Sequence, residues 1–272
     1  MPSRRYGPPH WPYTLNHGSP QAQGLVAWWP MDPHGAATVF DLSPKGVYPL
    51  TCQGATWGVA TVAGVPCLKF VRASSQYAAV ATTPVLAVPL SITAWVTSVD
   101  TTNSQEVVSI ADTGSSFNSF RLNFGGNAVG DPVRAVTSKD AGSAIAVTTT
   151  GYVAGVEVHA AAVFAAIDLR AAYINGGSKG TETTSTIPAG IDAIHVGRNH
   201  GAAPSNYFDG SIRDVRIYNR ALSAAEVYAA YDPSSRYDLY YQLRQRSYFL
   251  PAAAGGDAVP QCWTQFRRRR AG

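Results

Sequence analysis

What this chain has little of narrows it first. Only 14% of its 272 residues are charged. Cysteine occurs three times, at Cys52, Cys67 and Cys262, and an odd count argues against a complete disulfide framework and fits a reducing compartment. Cys52 and Cys67 are candidates to face each other on adjacent strands, although buried cysteines are most often plain small apolar residues. No C-x-x-C or H-E-x-x-H spacing occurs, so no zinc site is supported. No Ser-His-Asp arrangement announces itself either. No apolar run approaches the roughly 20 residues that cross a bilayer. Arg4 and Arg5 near the start have no apolar stretch behind them, so neither a signal peptide nor membrane contact is expected.

Paired acids are missing as well. Retaining glycosidases need two carboxylates about 5 Å apart, and a β-sandwich supplies them two or four positions apart on one strand, where alternation puts both on one face. No strand-like segment here carries such a pair. His159 and His195 sit inside strand-like segments and read as structural histidines. The chain is expected not to be an enzyme, and no cofactor is expected.

What is present suits strands and turns. Ala, Thr, Val, Gly and Ser are abundant, and 272 residues are enough for one large sandwich with extensions. Charge is uneven. Residues 1–231 hold 14 Lys and Arg against 14 Asp and Glu, whereas residues 232–272 hold 7 against 3, the whole net charge of +4. Arg267, Arg268, Arg269 and Arg270 are the sharpest part of that tail. A solvated tail is the bland reading of such a run, and docking on an acidic protein surface or nucleic acid the sharper one.

The chain is organised around Phe208 to Val227. Asp209-Gly210 is a turn signal. In the strand that follows, Val215 and Ile217 share one face, and Asp214, Arg216 and Tyr218 the other. Ser223 reads as a helix N-cap and Glu226 completes a capping box, with Leu222 and Val227 as the hydrophobic staple of a short helix ending near Tyr231. Upstream, residues 1–22 lack any period and read as an irregular arm. Strand-like segments then recur at short spacing: Leu25 to Asp32, Pro66 to Val71, Gln76 to Thr82, Pro89 to Ser98, Glu106 to Ala111, Ser119 to Phe124, Val133 to Thr137, Ile145 to Thr149, Val158 to Ala165, Leu169 to Ile174 and Ala193 to Gly197. Arg72 to Ser75 reads as a hairpin-like turn.

These residues resemble laminin-G-like domains, the concanavalin-A-like jelly roll. The likeness is carried by Phe208-Asp209-Gly210, by Asn219-Arg220-Ala221-Leu222-Ser223 with Glu226, by the Trp28-Trp29 strand and the Asp41-x-Ser43-x-x-Gly46 loop, by residues 90–96, and by Tyr173-x-Asn175-Gly176. It spans about residues 24–231. The resemblance implies an all-β, two-sheet antiparallel jelly-roll sandwich over residues 24–231, with an irregular N-terminal arm (1–23) and a basic, aromatic C-terminal extension (232–272). Calcium-binding members often carry an Asp after the Ile of the last strand. Here Arg213 stands there, and a guanidinium cannot ligate a hard cation. Asp32, Asp41 and Asp214 are the remaining oxygen donors, and no metal is expected. The family usually has a Trp just before its His strand; around His159 this chain has Val156-Glu157-Val158.

Residues 238–251, which interleave aromatics with Arg, resemble extensions that follow such domains in tailed-phage structural proteins. That likeness implies a non-enzymatic virion structural protein (capsid decoration, head fibre or tail component), made in the host cytoplasm and located in the virion. It would present the sandwich and be anchored by its termini to other virion subunits as a homo-oligomer. The anchor candidates are Tyr240, Tyr241, Phe249, Trp263 and Arg267 to Arg270; nucleic acid is not the expected partner. The alternative is a carbohydrate-binding module for cell-surface glycans, with Trp95 and Asn123 as candidate platform residues.

Overall fold

The computed structural model describes residues 12–31, 37–53, 59–62, 65–115, 117–140, 142–199 and 201–243. Asp32, Cys262, Phe249, Trp263 and Arg267 to Arg270 lie outside them. Strand β1 (Tyr13–Leu15) and β2 (Leu25–Trp29) precede β3 (Thr38–Val39), β4 (Leu50–Gln53), β5 (Val59–Val62) and β6 (Val65–Phe70). Next come β7 (Tyr77–Val80), β8 (Leu90–Ser98), β9 (Ser104–Ala111), β10 (Ser119–Gly125), β11 (Pro132–Lys139) and β12 (Gly142–Gly151). Then β13 (Val158–Ala166), β14 (Leu169–Ile174), β15 (Gly177–Glu182), β16 (Ala193–Val196) and β17 (Gly210–Tyr218) lead to helix α1 (Ala224–Tyr231) and β18 (Tyr240–Gln242).

Two eight-stranded antiparallel sheets form a jelly-roll sandwich. The front sheet runs β12-β11-β10-β9-β16-β7-β4-β3. The back sheet runs β15-β14-β13-β8-β17-β6-β5, and β2 also pairs with β17. The organising stretch becomes the centre of the back sheet. One edge of β17 lies along β8, while its other edge is shared, with β6 beside residues 210–212 and β2 beside residues 215–218. Gly210 at the start of β17 has φ 141, and a Cβ there would run into the carbonyl oxygen of Thr97, so only glycine fits.

The alternation reads through into the core. Val215 and Ile217 are fully buried between the sheets with Ile92, Ala94, Val96, Phe120, Leu122 and Phe124. The short helix forms as its caps dictate: the Ser223 side chain accepts from the Glu226 N–H and the Glu226 carboxylate accepts from the Ser223 N–H. Leu222 and Val227 are both buried in one cluster.

Four sequence expectations are corrected. Arg72 to Ser75 is not a hairpin turn: β6 lies in the back sheet and β7 in the front, so this segment, a 3-10 turn over Arg72–Ser74, carries the chain between layers. Cys52 is on β4 and Cys67 on β6, in different sheets, and they do not face each other. Residues 12–22 are not all irregular, because β1 pairs antiparallel with β18, Leu15 opposite Tyr240. Residues 232–243 do not leave the sandwich. They lie on the outer face of the back sheet, where Tyr237, Leu239 and Tyr240 pack with Tyr13, Leu25, Trp28 and Tyr218 in a second core. An aromatic-rich segment without a period found its burial on its own domain.

Candidate functional site

Asp41 and Asp214, the described carboxylates among the candidate oxygen donors, are already engaged. Asp41 accepts the backbone N–H groups of Trp28 and Ser43 on Oδ1, and that of Tyr48 with the Ser43 hydroxyl on Oδ2. This pins the 41–48 loop to β2. Asp214, at a bulge of β17 with φ 52, holds Arg216 through two bonds of 2.9 and 2.6 Å and accepts from Trp28 Nε1. Burial alone would raise the Asp214 carboxyl, but the Arg216 charge and these donors outweigh it and hold it below the usual range. Arg213 is buried and forms a bidentate pair with Glu157 at 2.7 and 2.8 Å.

Trp95 is not a surface platform, which corrects the sequence expectation. It lies on the outer face of β8, between Arg213 on β17 and His159 on β13 in register. Tyr231 of α1 stacks on it at 6.0 Å and the Arg236 guanidinium lies 5.4 Å from its ring, leaving it 5% exposed. Tyr240 is likewise committed to its own domain, edge-on to Trp28 at 4.8 Å. Of the described anchor candidates, Tyr241 alone is exposed, at 57%. The outer face of the back sheet is thus closed by α1, β1 and the segment that ends in β18.

The front sheet carries a polar strip on its outer face instead. Phe120, Leu122 and Phe124 of β10 point into the core, so Arg121 and Asn123 point out. Asn123 lies opposite Glu106 of β9 on one side and Arg134 of β11 on the other. Arg121 donates to Glu106 at 2.8 Å and to Ser138 at 2.6 Å, and Ser138 meets Ser143 of β12 at 2.7 Å. Ser143 in turn lines a cleft of about 410 Å³ with Lys139 and residues 184–187. Toward the other side, Ser109 lies opposite His195 of β16, and Tyr77 of β7 stacks on Arg198, with the guanidinium 3.3 Å from the ring centre. Tyr207 adds a second ring 6.5 Å from Tyr77.

Asn123 is 2% exposed, so it forms part of the floor of this strip and does not project from it. It donates to Ser104 Oγ and the Gln105 carbonyl, while its Oδ1 is buried without a partner. Glu106 is fully buried, and burial pushes its carboxyl above the usual carboxylate range, with Arg121 opposing only in part. Glu106 is the only acidic residue on the eight strands of the front sheet, apart from the turns between them. A double-displacement site needs two. Among the described residues no group of three or more His, Cys, Asp or Glu is placed to hold a metal.

Glu106, Arg121, Arg134, Tyr77 and Arg198 were not singled out by sequence reasoning. For Arg121 and Arg134 the signal is one polar residue between two core residues in neighbouring strands, visible only once the strand order is known.

The fold has many counterparts among solved structures. Domain 4 of AbnA, a GH43 extracellular arabinanase from Geobacillus stearothermophilus solved with arabinotriose, superposes with a TM-score of 0.60 at 18% identity, covering 76% of this chain and 98% of that one. The binding domain of botulinum neurotoxin serotype C1 gives 0.55 at 10% identity, covering 79% of this chain and 53% of that one. That of botulinum neurotoxin DC in complex with SialylT gives 0.54 at 10%, covering 78% and 52%. This chain therefore spans about half the length of the toxin domains. A search of curated protein sequences gave no match. A family model of the laminin-G type, described as the concanavalin A-like lectin/glucanases superfamily, matches residues 72–228, more than half of the chain. With that match, and with the sandwich that surrounds it, the chain belongs to the concanavalin A-like lectin/glucanases superfamily.

Proposed function

We propose that this protein is a non-catalytic, lectin-like module that binds glycan on the outer face of its front sheet and is held at its opposite face by its termini. The observation that carries the reading is the asymmetry of the two outer faces. On the back sheet, the helix and terminal segments bury Trp95, Trp28 and the Arg213 and Arg216 pairs. On the front sheet Arg121, Arg134 and Tyr77 stay half-buried, above a floor in which Asn123 and His195 are buried. Amide, guanidinium and hydroxyl groups beside tyrosine rings are the equipment of sugar recognition, since rings stack on sugar faces and planar polar groups take paired hydroxyls. A lone carboxylate paired with Arg121 supports binding over hydrolysis. The arabinotriose and SialylT carried by two structural counterparts agree with a glycan ligand.

The finer reading is that this module serves as a structural component of a virion, assembled as a homo-oligomer with residues beyond 243 as anchor. It is supported by the similarity of residues 238–251 to phage structural extensions and by the concentration of the whole net charge in residues 232–272.

A glycan array probed with the full chain tests the binding reading. Binding is expected, with loss on Tyr77→Ala and Tyr207→Ala at an unchanged melting temperature; no binding at millimolar ligand overturns it. The virion reading is tested by mass spectrometry of purified particles, where absence of the chain overturns it.

A further inference from the structure

We infer that the front-sheet site selects acidic glycans, with Arg134 as the residue that receives the negative charge. This rests on the glycan-binding reading of the same face and adds the ligand class to it.

The strip holds more positive than negative charge. Arg121 is neutralised by Glu106, whereas Arg134 makes no ion pair among the described residues. Its one hydrogen bond among the described residues runs from Nη1 to the exposed amide oxygen of Asn127 at 3.3 Å, a long contact. Its Nε is buried with no partner at all. The side chain lies flat across Gly125, where a Cβ would collide with the guanidinium. Glycine at 125 therefore gives the guanidinium a seat on the sheet, with Asn123 beside it in register. Burial makes the charge of Arg134 costly, and the more distant Glu106 only partly offsets this. A bound anion would complete the offset. The planar guanidinium matches a carboxylate or sulfate through paired donors, which neutral hydroxyls cannot match in strength.

The remainder of the strip supplies the neutral part of the ligand. From β11 to β7 there are four inter-strand steps, about 19 Å at ~4.8 Å each. The ligand is thus an oligosaccharide with an acidic residue at the β11 end and uncharged rings toward Tyr77 and Tyr207.

The test compares binding of tetragalacturonate with its carboxyl-reduced tetramer, of 3′-sialyllactose with lactose, and of a sulfated with an unsulfated oligosaccharide. It uses the full chain and titration calorimetry. At least one acidic member is expected to bind about 10-fold or more tighter than its neutral partner, and the three pairs tell carboxylate from sulfate. Asn127→Asp places an internal carboxylate against Arg134 from an exposed position. It should erase the preference while leaving the melting temperature and any neutral binding intact. Arg134→Gln should also erase the preference. Equal binding within every pair, or a preference that survives Asn127→Asp, overturns the selection of acidic ligands and leaves glycan binding standing. No binding by any member overturns both.

Discussion

Trp28 donates its indole N–H to Asp214 at 2.8 Å across 186 residues, joining the strand near the start of the domain to its last long strand. The same carboxylate carries Arg216, which reaches on to Gln21 Oε1 and the Arg236 carbonyl. One buried charge pair therefore ties β2, β17 and both terminal segments together.

Removing one member of that pair is expected to be severe. Asp214→Asn leaves Arg216 buried without a counter-charge, a change that costs about 3–5 kcal/mol. Urea denaturation should show it as a large drop in midpoint at pH 7. Because the folded carboxyl titrates below its unfolded value, the pair's contribution is complete above the ordinary carboxylate range, about pH 4. It is lost as pH falls further through the folded value. The deficit of the variant should therefore narrow only in strong acid.

His159 gives a second pH signature at a higher window. Burial, with Arg216 and Arg213 nearby and only Asp214 opposing, pulls its pKa down to about 3. In the unfolded chain it protonates near 6.5. Below that pH the unfolded state binds a proton that the folded state refuses, so stability should fall from about pH 6.5 toward pH 3. The ring signals of His159 should stay constant in NMR spectra from pH 8 to pH 4; a midpoint near 6.5 would contradict the burial.

Truncation distinguishes the strap from the tail. A chain ending at Asp232 loses Tyr237, Leu239 and Tyr240, each worth about 1.5–3 kcal/mol when buried. It also uncovers Trp95 and Trp28. That chain should melt markedly lower and bind a hydrophobic dye. A chain ending at Leu243 keeps all three side chains, and on the virion reading should fail to enter particles.

The helix cap offers a milder test. Ser223→Ala removes the side-chain acceptor for the Glu226 N–H and is expected to cost about 1 kcal/mol. Ser223→Asp should restore most of it in a thermal melt.

The parts legible in the sequence are those fixed by neighbours in the chain. The capping box at Ser223 and Glu226, the turn at Gly210 and the alternation around Ile217 are local, and each is where the residues put it. The order of strands across a sheet is not local. Asn123 could be assigned to an outer face, but its place between Glu106 and Arg134 depends on strands that meet only in the fold. Trp95 shows the opposite difficulty. Its outward direction was readable, but its cover comes from Tyr231 and Arg236, more than a hundred residues away. The pairing of Tyr13–Leu15 with Tyr240–Gln242 joins two three-residue segments that carry no period of their own. Only the burial of the aromatic rings around them specifies it.

That small ladder has a mechanical consequence. The Leu243 N–H bonds the Pro12 carbonyl, just past the paired residues Tyr13 and Gln242, so both flanks depart from the same end of the ladder. Tension drawn between those flanks would load the rungs one after another, as a zipper is opened. It would not shear them together. The ladder should part at low force while the long central strands remain shut.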